Sequence, residues 1–219
     1  MVRAFFFDFD GTLADSFPAI AASVNHVRSL RGLLPLTEAE VRAHVGWGPG
    51  HLLGQTVPVG DPAENANAYR EHHPGVMATG TRLLPGSVEL LEAISTAGYP
   101  IVLTSNKPRL YSAELLAILG IAHHFTAVLG PEDVTHPKPA PDMLLAALEC
   151  TVRLADQAIY IGDMTVDIAT ARGAGVPIWI VCTGAQSRDV LEAERPDALF
   201  DDLDAIHRRL IEMQRLPAR

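Results

Sequence analysis

The stretch FFFDFDGTLADS, residues 5–16, places three phenylalanines directly before two aspartates and a glycine. A short continuous apolar run that ends at a turn signal predicts a buried β-strand. Asp8 and Asp10 are two residues apart, the spacing that puts side chains on the same side of an extended strand. Two like charges held this close are unfavourable unless a cation or a shared proton relieves the repulsion. The stretch therefore predicts a strand whose carboxyl end carries a charged functional site.

Buried-strand patterns recur later in the chain and alternate with helical patterns. Apolar runs occupy residues 100–105, 125–130, 158–163 and 177–184, and segments with apolar residues at three- and four-residue spacing lie between them. Such alternation predicts βαβ units and a parallel sheet that is covered on both faces. We therefore expect an α/β fold with a Rossmann-like parallel sheet core and helices on both faces.

Residues 15–84 interrupt this alternation, because they contain several helical patterns and no convincing strand. Thr37 and Glu40 form a T-x-x-E capping box, which marks the start of a helix. The segment GWGPGHLLGQ, residues 46–55, is expected to be a glycine-rich loop between two of these helices. We expect residues 15–84 to form an inserted α-helical cap domain, and residues 1–14 and 85–219 to form the core domain.

Composition argues against several classes of protein. The 219 residues carry a formal net charge of −9, whereas nucleic-acid-binding proteins show basic patches or stripes. No window approaches the ~20 apolar residues of a membrane helix. Cys150 and Cys182 are far apart in the chain and fit a reducing compartment. We expect a cytoplasmic protein that binds neither nucleic acid nor a membrane, and the sequence leaves its oligomeric state open.

Four of the predicted loops carry polar groups that could meet, because parallel strands place their carboxyl ends at one edge of the sheet. Taken singly, each group has an ordinary explanation as a turn, a helix cap or a solvated charge, but jointly they indicate one site. The two lysines among the 17 basic residues both lie in these loops, as if a compact point charge were required there. The groups are Asp8, Asp10, Gly11 and Thr12; Ser105, Asn106 and Lys107; Lys138 in HPKPAPD; and Asp163 with Asp167.

The segments FDFDGTLADS, SNKP, KPAP and GDMTVD resemble the four motifs of the haloacid dehalogenase-like superfamily of phosphatases and phosphotransferases. The resemblance spans nearly the whole chain, and within the superfamily it is strongest to phosphoglycolate phosphatases. It implies an Mg²⁺-dependent phosphatase that acts through an aspartyl-phosphate intermediate on a small phosphate ester such as 2-phosphoglycolate.

The resemblance also implies the catalytic and metal-binding roles. Asp8 would be the nucleophile, and Asp10 would protonate the leaving group and later deprotonate water. Lys138 would offset charge on the transferring group. Mg²⁺ would bind Asp8, the backbone carbonyl of Asp10 and Asp163. Asp167 would lie behind Asp163 or Lys138 and orient them.

The remaining loop residues would bind substrate. Ser105 and Asn106 would donate hydrogen bonds to phosphate oxygens, and Gly11 and Thr12 complete the substrate-binding set that the resemblance implies. Lys107 is expected at the rim of the site. The helix-surface Arg42 is expected to be solvated, with a contact to the substrate anion from the cap side as the alternative. The glycine-rich loop is expected to face the active site, where its backbone N–H groups could bind a small carboxylate; a simple tight turn is the alternative.

Differences from the motifs of related enzymes argue for or against other functions. Asp10 favours phosphoryl chemistry over dehalogenation, and the absence of lysine from residues 15–84 excludes a cap-lysine phosphonate hydrolase. A phosphotransferase or mutase of the β-phosphoglucomutase type is an alternative, although Ile20 stands where such relatives carry a histidine. Pyrophosphate and nucleoside monophosphates are rival substrates, and a catalytically silent binding protein is a further alternative.

Overall fold

The computed structural model describes residues 2–213, which form eight strands and ten α-helices. The strands are β1 (Ala4–Phe7), β2 (Ala14–Asp15), β3 (Arg82–Leu83), β4 (Ile101–Thr104), β5 (Ala127–Leu129), β6 (Ala158–Gly162), β7 (Ile178–Val181) and β8 (Ala198–Phe200). The helices are α1 (Phe17–Leu30), α2 (Glu38–Arg42), α3 (Pro49–Thr56), α4 (Pro62–Met77), α5 (Ser87–Thr96), α6 (Arg109–Ile118), α7 (Asp142–Thr151), α8 (Thr165–Ala174), α9 (Arg188–Ala193) and α10 (Leu203–Glu212). None of the helices in this described part is long and apolar enough to span a membrane.

Six of the strands form one parallel sheet in the order β5-β4-β1-β6-β7-β8. Strand β1 lies in its interior, where Phe6 pairs with Val102 of β4 on one side and with Tyr160 of β6 on the other. From β1 the chain continues to β4 and β5 on one side of the sheet and then crosses to β6 on the other side. The carboxyl end of β1 is therefore a topological switch point, which is where ligands bind in open parallel sheets. The predicted α/β fold with a parallel sheet is confirmed.

The three phenylalanines of β1 divide between the two faces of the sheet because strand side chains alternate. Phe5 and Phe7 pack in the hydrophobic cluster that includes apolar residues of α5, α6 and α10. Phe6 packs in the opposite cluster, which includes residues of α7, α8 and α9. All three side chains are fully buried, so the strand that carries the aspartates is fixed by packing on both faces.

Helices α1–α4 lie between β2 and β3 in the chain and share a hydrophobic cluster of their own, which includes Phe17, Val41 and Leu52. The short strands β2 and β3 pair antiparallel at the base of this insert. The predicted capping box is confirmed: the Glu40 backbone N–H donates to Thr37 Oγ1 over 3.3 Å, and the Thr37 N–H donates to Glu40 Oε2 over 2.7 Å. The cap-domain boundaries at residues 15 and 84 stay a prediction.

Two parts of the secondary structure differ from expectation. The predicted loop 46–55 is wrong in its second half, because α3 begins at Pro49 after Gly48 turns the chain at a φ of 85°. Proline at the first helical position has no N–H to leave unpaired, and the buried Leu52 and Leu53 fix the helix against the insert. The apolar-run pattern also does not predict β8, α9 or α10, which complete the sheet edge and the two helical layers.

One buried histidine joins the insert to the core. His73 of α4 packs between the rings of Tyr69 and Tyr111, with centroid distances of 5.0 and 5.3 Å, and its Nδ1 lies 2.9 Å from Ser23 Oγ. Burial lowers the pKa of His73 from 6.5 to about 3, and the nearby positive charge of Lys107 acts in the same direction. The folded protein therefore keeps this imidazole neutral at pH values where an exposed histidine is protonated.

We expect His73 to make the protein less stable as the pH falls below about 6.5, because the unfolded chain binds a proton that the folded chain excludes. The loss approaches about 1.4 kcal/mol per pH unit until the pH nears the folded-state value. Urea denaturation at pH 6 and pH 5 should show wild type losing about 1 kcal/mol relative to His73→Gln. The exposed His51 provides the control variant His51→Gln, which should follow wild type. Parallel pH profiles for wild type and His73→Gln would contradict the expectation.

Candidate active site

The loops after β1 and β6 bring three carboxylates together. Asp8 follows β1, Asp163 follows β6, and Asp167 lies in the first turn of α8. All three are buried, and one oxygen from each lies within 4.8 Å of the others. Parallel neighbouring strands put these side chains at the same edge of the sheet, so the structure places these three predicted site residues in one cluster.

Lys138 is the cation within this cluster. Its Nζ lies 3.0 Å from Asp8 Oδ1 and 2.8 Å from Asp167 Oδ1, and it donates to the Tyr160 hydroxyl over 2.9 Å. Its side chain is 1% exposed. Burial alone would lower the pKa of Lys138, but the Asp167 and Asp8 carboxylates outweigh it and raise that pKa well above 10.5. Lys138 is therefore a fixed positive charge beside the Asp8 carboxylate.

Asp167 is fully occupied by hydrogen bonds. Its Oδ1 accepts from Lys138 Nζ and from the Tyr160 hydroxyl, the latter over 2.7 Å, while its Oδ2 accepts from the backbone N–H groups of Asp163 and Met164 over 3.2 and 3.0 Å. A carboxylate with both oxygens engaged in this way has little capacity left for a metal ion. The geometry therefore suits the predicted orienting role of Asp167, because the same carboxylate fixes Lys138 and the Asp163 backbone.

The charges of this cluster do not balance. The carboxylates of Asp8, Asp163 and Asp167 face the single ammonium of Lys138, which leaves two negative charges uncompensated, the charge of one divalent cation. Burial raises the pKa of Asp8 from 3.8 to about 6, against the opposing effect of Lys138. Burial, together with the Asp167 and Asp8 charges, raises the pKa of Asp163 well above 3.8. Both shifts report carboxylates that lack a sufficient positive partner.

Asp163 also has a free ligand atom and a space shaped around it. Its Oδ1 accepts from the Thr12 hydroxyl over 2.7 Å, whereas its buried Oδ2 has no hydrogen-bond partner among the described residues. Gly11 and Gly184 leave room for this oxygen, because a Cβ atom would lie 2.5 Å from it at Gly11 and 1.7 Å from it at Gly184. An orphaned carboxylate oxygen of this kind, with Asp8 nearby, fits a hard cation such as Mg²⁺.

Asp10 lies beside this cluster and is held by two other side chains. Its Oδ1 accepts a short hydrogen bond from the Ser16 hydroxyl, and its Oδ2 lies 3.2 Å from Lys107 Nζ. The expected position of Lys107 at the rim of the site is wrong, because this residue is buried, with 7% of its surface exposed. Both lysines of the chain are therefore buried at the site, each against a different aspartate.

The cluster opens into a small cavity between the core and the insert. Asp8, Asp10, Ser105 and Asn106 line it from the core side. The Asn106 side-chain amide has no free N–H donor for a ligand, because Nδ2 donates to the backbone carbonyls of Gly46 and Lys138 over 3.0 and 2.9 Å. The predicted phosphate contact of this residue is therefore left to its backbone N–H.

Gly11 and Thr12, predicted to bind substrate, do not line this cavity. Thr12 is fully buried, with its hydroxyl committed to Asp163. Gly11 adopts a φ of 87° and packs against the same carboxylate. The structure thus brings both residues to the site, where they contact Asp163 in place of a ligand.

The insert is bonded to the core next to these groups. Arg42 was expected in solvent, and this is wrong: its Nη2 donates to the Thr183 and Gly184 carbonyls over 2.8 and 2.9 Å. Its guanidinium also lies over the Phe17 ring, 4.1 Å from the centroid. Because Gly184 contacts Asp163, Arg42 connects the insert to the backbone segment that shapes the candidate metal site.

A known protein family matches most of this chain. The family model described as "Haloacid dehalogenase-like hydrolase" matches residues 5–181. The chain belongs to this family. The matched range includes Asp8, Asp10, Lys107, Lys138, Asp163 and Asp167, whereas Thr183 and Gly184 lie just beyond it.

Curated relatives of this haloacid dehalogenase-like hydrolase align over nearly all of its length. The chain is 34% identical to a phosphoglycolate phosphatase of Rhodospirillum rubrum over 94% of this chain and 90% of the relative. It is 30% identical to a phosphoglycolate phosphatase of Escherichia coli over 93% of this chain and 90% of that protein.

Solved structures agree with the fold. A predicted phosphoglycolate phosphatase from Haemophilus somnus superposes with a TM-score of 0.87 at 25% identity, covering 95% of this chain and 97% of that one. A haloacid dehalogenase-like family hydrolase from Streptococcus pneumoniae superposes with a TM-score of 0.85 at 24% identity, covering 95% and 98% of the two chains. The second likeness concerns the fold alone.

Tyr160 and the Thr183–Gly184 segment also contact the site, although neither is among the predicted site residues. Tyr160 is the one polar side chain in an otherwise aliphatic strand, three residues before Asp163. A buried hydroxyl usually has a hydrogen-bond partner, so its position in the strand could have indicated a polar contact next to the site. The segment after β7 ends a fifth strand at the same edge, so the rule that grouped the other loops extends to it.

Gly184→Ala should strongly weaken metal binding, because the added methyl would occupy the position of Asp163 Oδ2 and displace that carboxylate. We expect the affinity for Mg²⁺ to fall at least about tenfold. Isothermal titration with Mg²⁺, or the metal-dependent rise in melting temperature, measures it. Gly75→Ala is the matched control, since a Cβ at Gly75 meets nothing within 4 Å. Unchanged Mg²⁺ affinity in Gly184→Ala would count against Asp163 as a metal ligand.

Proposed function

We propose that this chain is a phosphomonoester hydrolase that acts on 2-phosphoglycolate. The observation that carries the proposal is the buried cluster of Asp8, Asp163, Asp167 and Lys138, with Asp10 beside it at the mouth of the cavity. A carboxylate nucleophile, a fixed cation and a second carboxylate on the leaving-group side are what phosphoryl transfer to a side chain requires. The names of the curated relatives support the choice of substrate.

In the first step, an Asp8 carboxylate oxygen attacks phosphorus while the bond between phosphorus and the ester oxygen breaks. Protonated Asp10 gives its proton to the departing alkoxide, so glycolate leaves with a hydroxyl group and Asp8 carries the phosphoryl group. Lys138 is already 3.0 Å from Asp8 Oδ1, where it offsets negative charge that gathers on the transferring group. Ser16 and Lys107 hold the Asp10 carboxylate in place for this transfer.

In the second step, Asp10 takes a proton from a water molecule as that water attacks phosphorus of the aspartyl-phosphate. The bond between phosphorus and Asp8 breaks, inorganic phosphate leaves, and Asp8 is again a carboxylate. General acid and base catalysis by a group of this kind contributes roughly 10²- to 10⁴-fold in rate. The same residue serves both steps because it ends the first step deprotonated.

Mg²⁺ would be held by Asp8, Asp163 and the Asp10 backbone carbonyl, and when bound it would neutralise the repulsion between the carboxylates and the phosphate dianion. Thr12 and Asp167 would act on this site indirectly by fixing Asp163. The Ser105 hydroxyl and the Asn106 backbone N–H would bind phosphate oxygens, since both residues line the cavity.

The helical segment would serve as a cap over the active site, with residues 15–84 as its domain and residues 1–14 and 85–219 as the core. Its supporting observations are the separate hydrophobic cluster of the insert and the cavity that lies between insert and core. We further propose a cytoplasmic location, which the two unpaired thiols support.

The mutase alternative is the weaker one. Ile20 lines the cavity from α1, so the position where such relatives carry a histidine supplies an apolar wall and no proton-transfer group. His26, one and a half turns further along α1, stacks on His72 at a centroid distance of 4.1 Å. Hydrolysis is therefore the function that the site supports best.

The test is turnover of a panel of phosphate compounds in the presence of Mg²⁺. We expect equal amounts of glycolate and phosphate from 2-phosphoglycolate, with pyrophosphate, sugar phosphates and nucleoside monophosphates hydrolysed at least about 100-fold less efficiently. Asp8→Asn should abolish turnover, and Asp10→Asn should lower kcat by roughly 10²- to 10⁴-fold. The exposed Asp156 offers the control variant Asp156→Asn, which removes the same charge outside the site.

Two results would contradict the proposal in different ways. Similar low efficiency on many compounds, lost in Asp8→Asn, would keep the mechanism and discard the substrate. Isomerisation of a sugar phosphate without release of phosphate would favour the mutase.

A further inference from the structure

The cavity contains a buried cation that the reaction steps do not fully use. Lys107 lines the cavity with a side chain that is 5% exposed, and its Nζ lies 3.2 Å from Asp10 Oδ2. Among the described residues that line this cavity, it carries the only basic side chain. A buried ammonium needs more than one oxygen partner to offset its desolvation.

The two lysines differ in how many partners they have. Lys138 Nζ has two carboxylates and a tyrosine hydroxyl around it. For Lys107, Asp10 is the one carboxylate within salt-bridge distance in the described part of the chain. An ammonium has three N–H donors, so Lys107 retains donors for an additional oxygen at the cavity surface.

The position of Lys107 relative to Asp10 defines which part of a substrate it meets. Asp10 is the group that would protonate the ester oxygen, so a side chain bonded to the cavity-facing Asp10 carboxylate lies on the leaving-group side of the scissile bond. In 2-phosphoglycolate the carboxylate is attached to the carbon that bears the ester oxygen. That carboxylate would therefore reach the neighbourhood of Lys107 when the ester oxygen reaches Asp10.

We propose that Lys107 binds the carboxylate of the leaving group and thereby selects phosphate esters with a carboxylate next to the ester carbon. This inference rests on the proposed function, because it assumes that Asp10 faces the leaving group. Lys107 would be a specificity-determining residue of the core, so the anion is recognised from the core side of the cavity.

The cavity walls contributed by the insert are consistent with recognition of the anion from the core side. Ile20, Val45, Leu52 and Tyr69 line the cavity from the insert, and none of them offers a positive charge. These apolar side chains would exclude water around the Lys107 contact and strengthen it. The backbone N–H groups near Gly48 at the start of α3 are the competing anion contact, which the variants below separate from Lys107.

The experiment compares three substrates that share the phosphate ester and differ in the neighbouring group: 2-phosphoglycolate, ethyl phosphate and phosphoethanolamine. Lys107→Met keeps the chain length and removes the charge. We expect kcat/KM for 2-phosphoglycolate to fall about 10- to 100-fold relative to ethyl phosphate, as for loss of a charge-assisted hydrogen bond. For phosphoethanolamine, whose ammonium is repelled by Lys107, kcat/KM should rise about tenfold relative to ethyl phosphate. Loss of Asp10 positioning or misfolding would lower kcat/KM for all three esters alike and cannot produce these opposite changes in the ratios.

A matched control and a binding measurement complete the design. Arg109→Met removes one positive charge two residues further along, where the side chain is 59% exposed, and should leave the substrate ratios unchanged. In an Asp8→Asn background, calorimetry with Mg²⁺ present should show that Lys107→Met weakens 2-phosphoglycolate binding and leaves ethyl phosphate binding within about threefold.

The outcomes that overturn the inference are distinct from those that overturn the proposed function. If wild type prefers 2-phosphoglycolate but Lys107→Met loses equal efficiency on all three esters, Lys107 acts only through Asp10. If Lys107→Met changes neither the ratios nor the efficiency on any of the three esters, Lys107 contacts no part of the substrate and the anion contact lies at the backbone near Gly48. If wild type shows no preference for 2-phosphoglycolate over ethyl phosphate, the proposed substrate fails first, and this inference with it.

Discussion

The packing of Asp8, Asp163 and Asp167 around the single ammonium of Lys138 is the constraint on which the rest of the site depends. Each buried charge carries a desolvation penalty of several kcal/mol, which only well-placed partners offset. The fold supplies those partners. Asp167 accepts hydrogen bonds from two backbone N–H groups, and Lys138 contacts Asp8, Asp167 and the Tyr160 hydroxyl. The remaining negative charge equals that of one divalent cation, so the same arrangement could hold a metal ion.

The insert contacts the same loops that carry these charges. Asn106 donates to the Gly46 carbonyl, and Arg42 donates to the Thr183 and Gly184 carbonyls. Neither contact involves the acidic cluster directly, yet the core partner of each lies at the site: Asn106 lines the cavity, and Gly184 lies against Asp163. A displacement of the insert would therefore break hydrogen bonds at the edge of the site before it changed the carboxylates themselves. These hydrogen bonds therefore connect the position of the insert over the cavity to the position of the core loops.

Much of this site could be predicted because its signals are local. The FFFDFD stretch specifies a strand buried on both faces and two carboxylates at its end, and the alternation of later segments places the other loops at the same edge. The partners of Arg42 could not be predicted in this way, because they depend on how the insert docks on the core. Lys107 and Asp10 lie in two core loops that the sequence already places at one edge, but the sequence does not show that the lysine side chain is buried against that aspartate. The start of α3 was missed for a related reason: glycines at 46, 48 and 50 indicate a turn, while the burial of Leu52 and Leu53 that continues it as a helix is a tertiary effect.

The presence of lysine in a chain that otherwise uses arginine has a physical explanation in the two environments. Lys138 fits between two carboxylates and a hydroxyl at distances of 2.8 to 3.0 Å, a space that a planar guanidinium with five donors would exceed. Lys107 extends the same logic to a cavity wall, where a small rotatable ammonium can keep Asp10 and still turn a donor toward a ligand. One lysine is thus enclosed by the protein, while the other is shared between protein and cavity. Under the proposals above, Lys138 would act on the phosphoryl group and Lys107 on the leaving group, so both ends of a small substrate would meet a cation of the core.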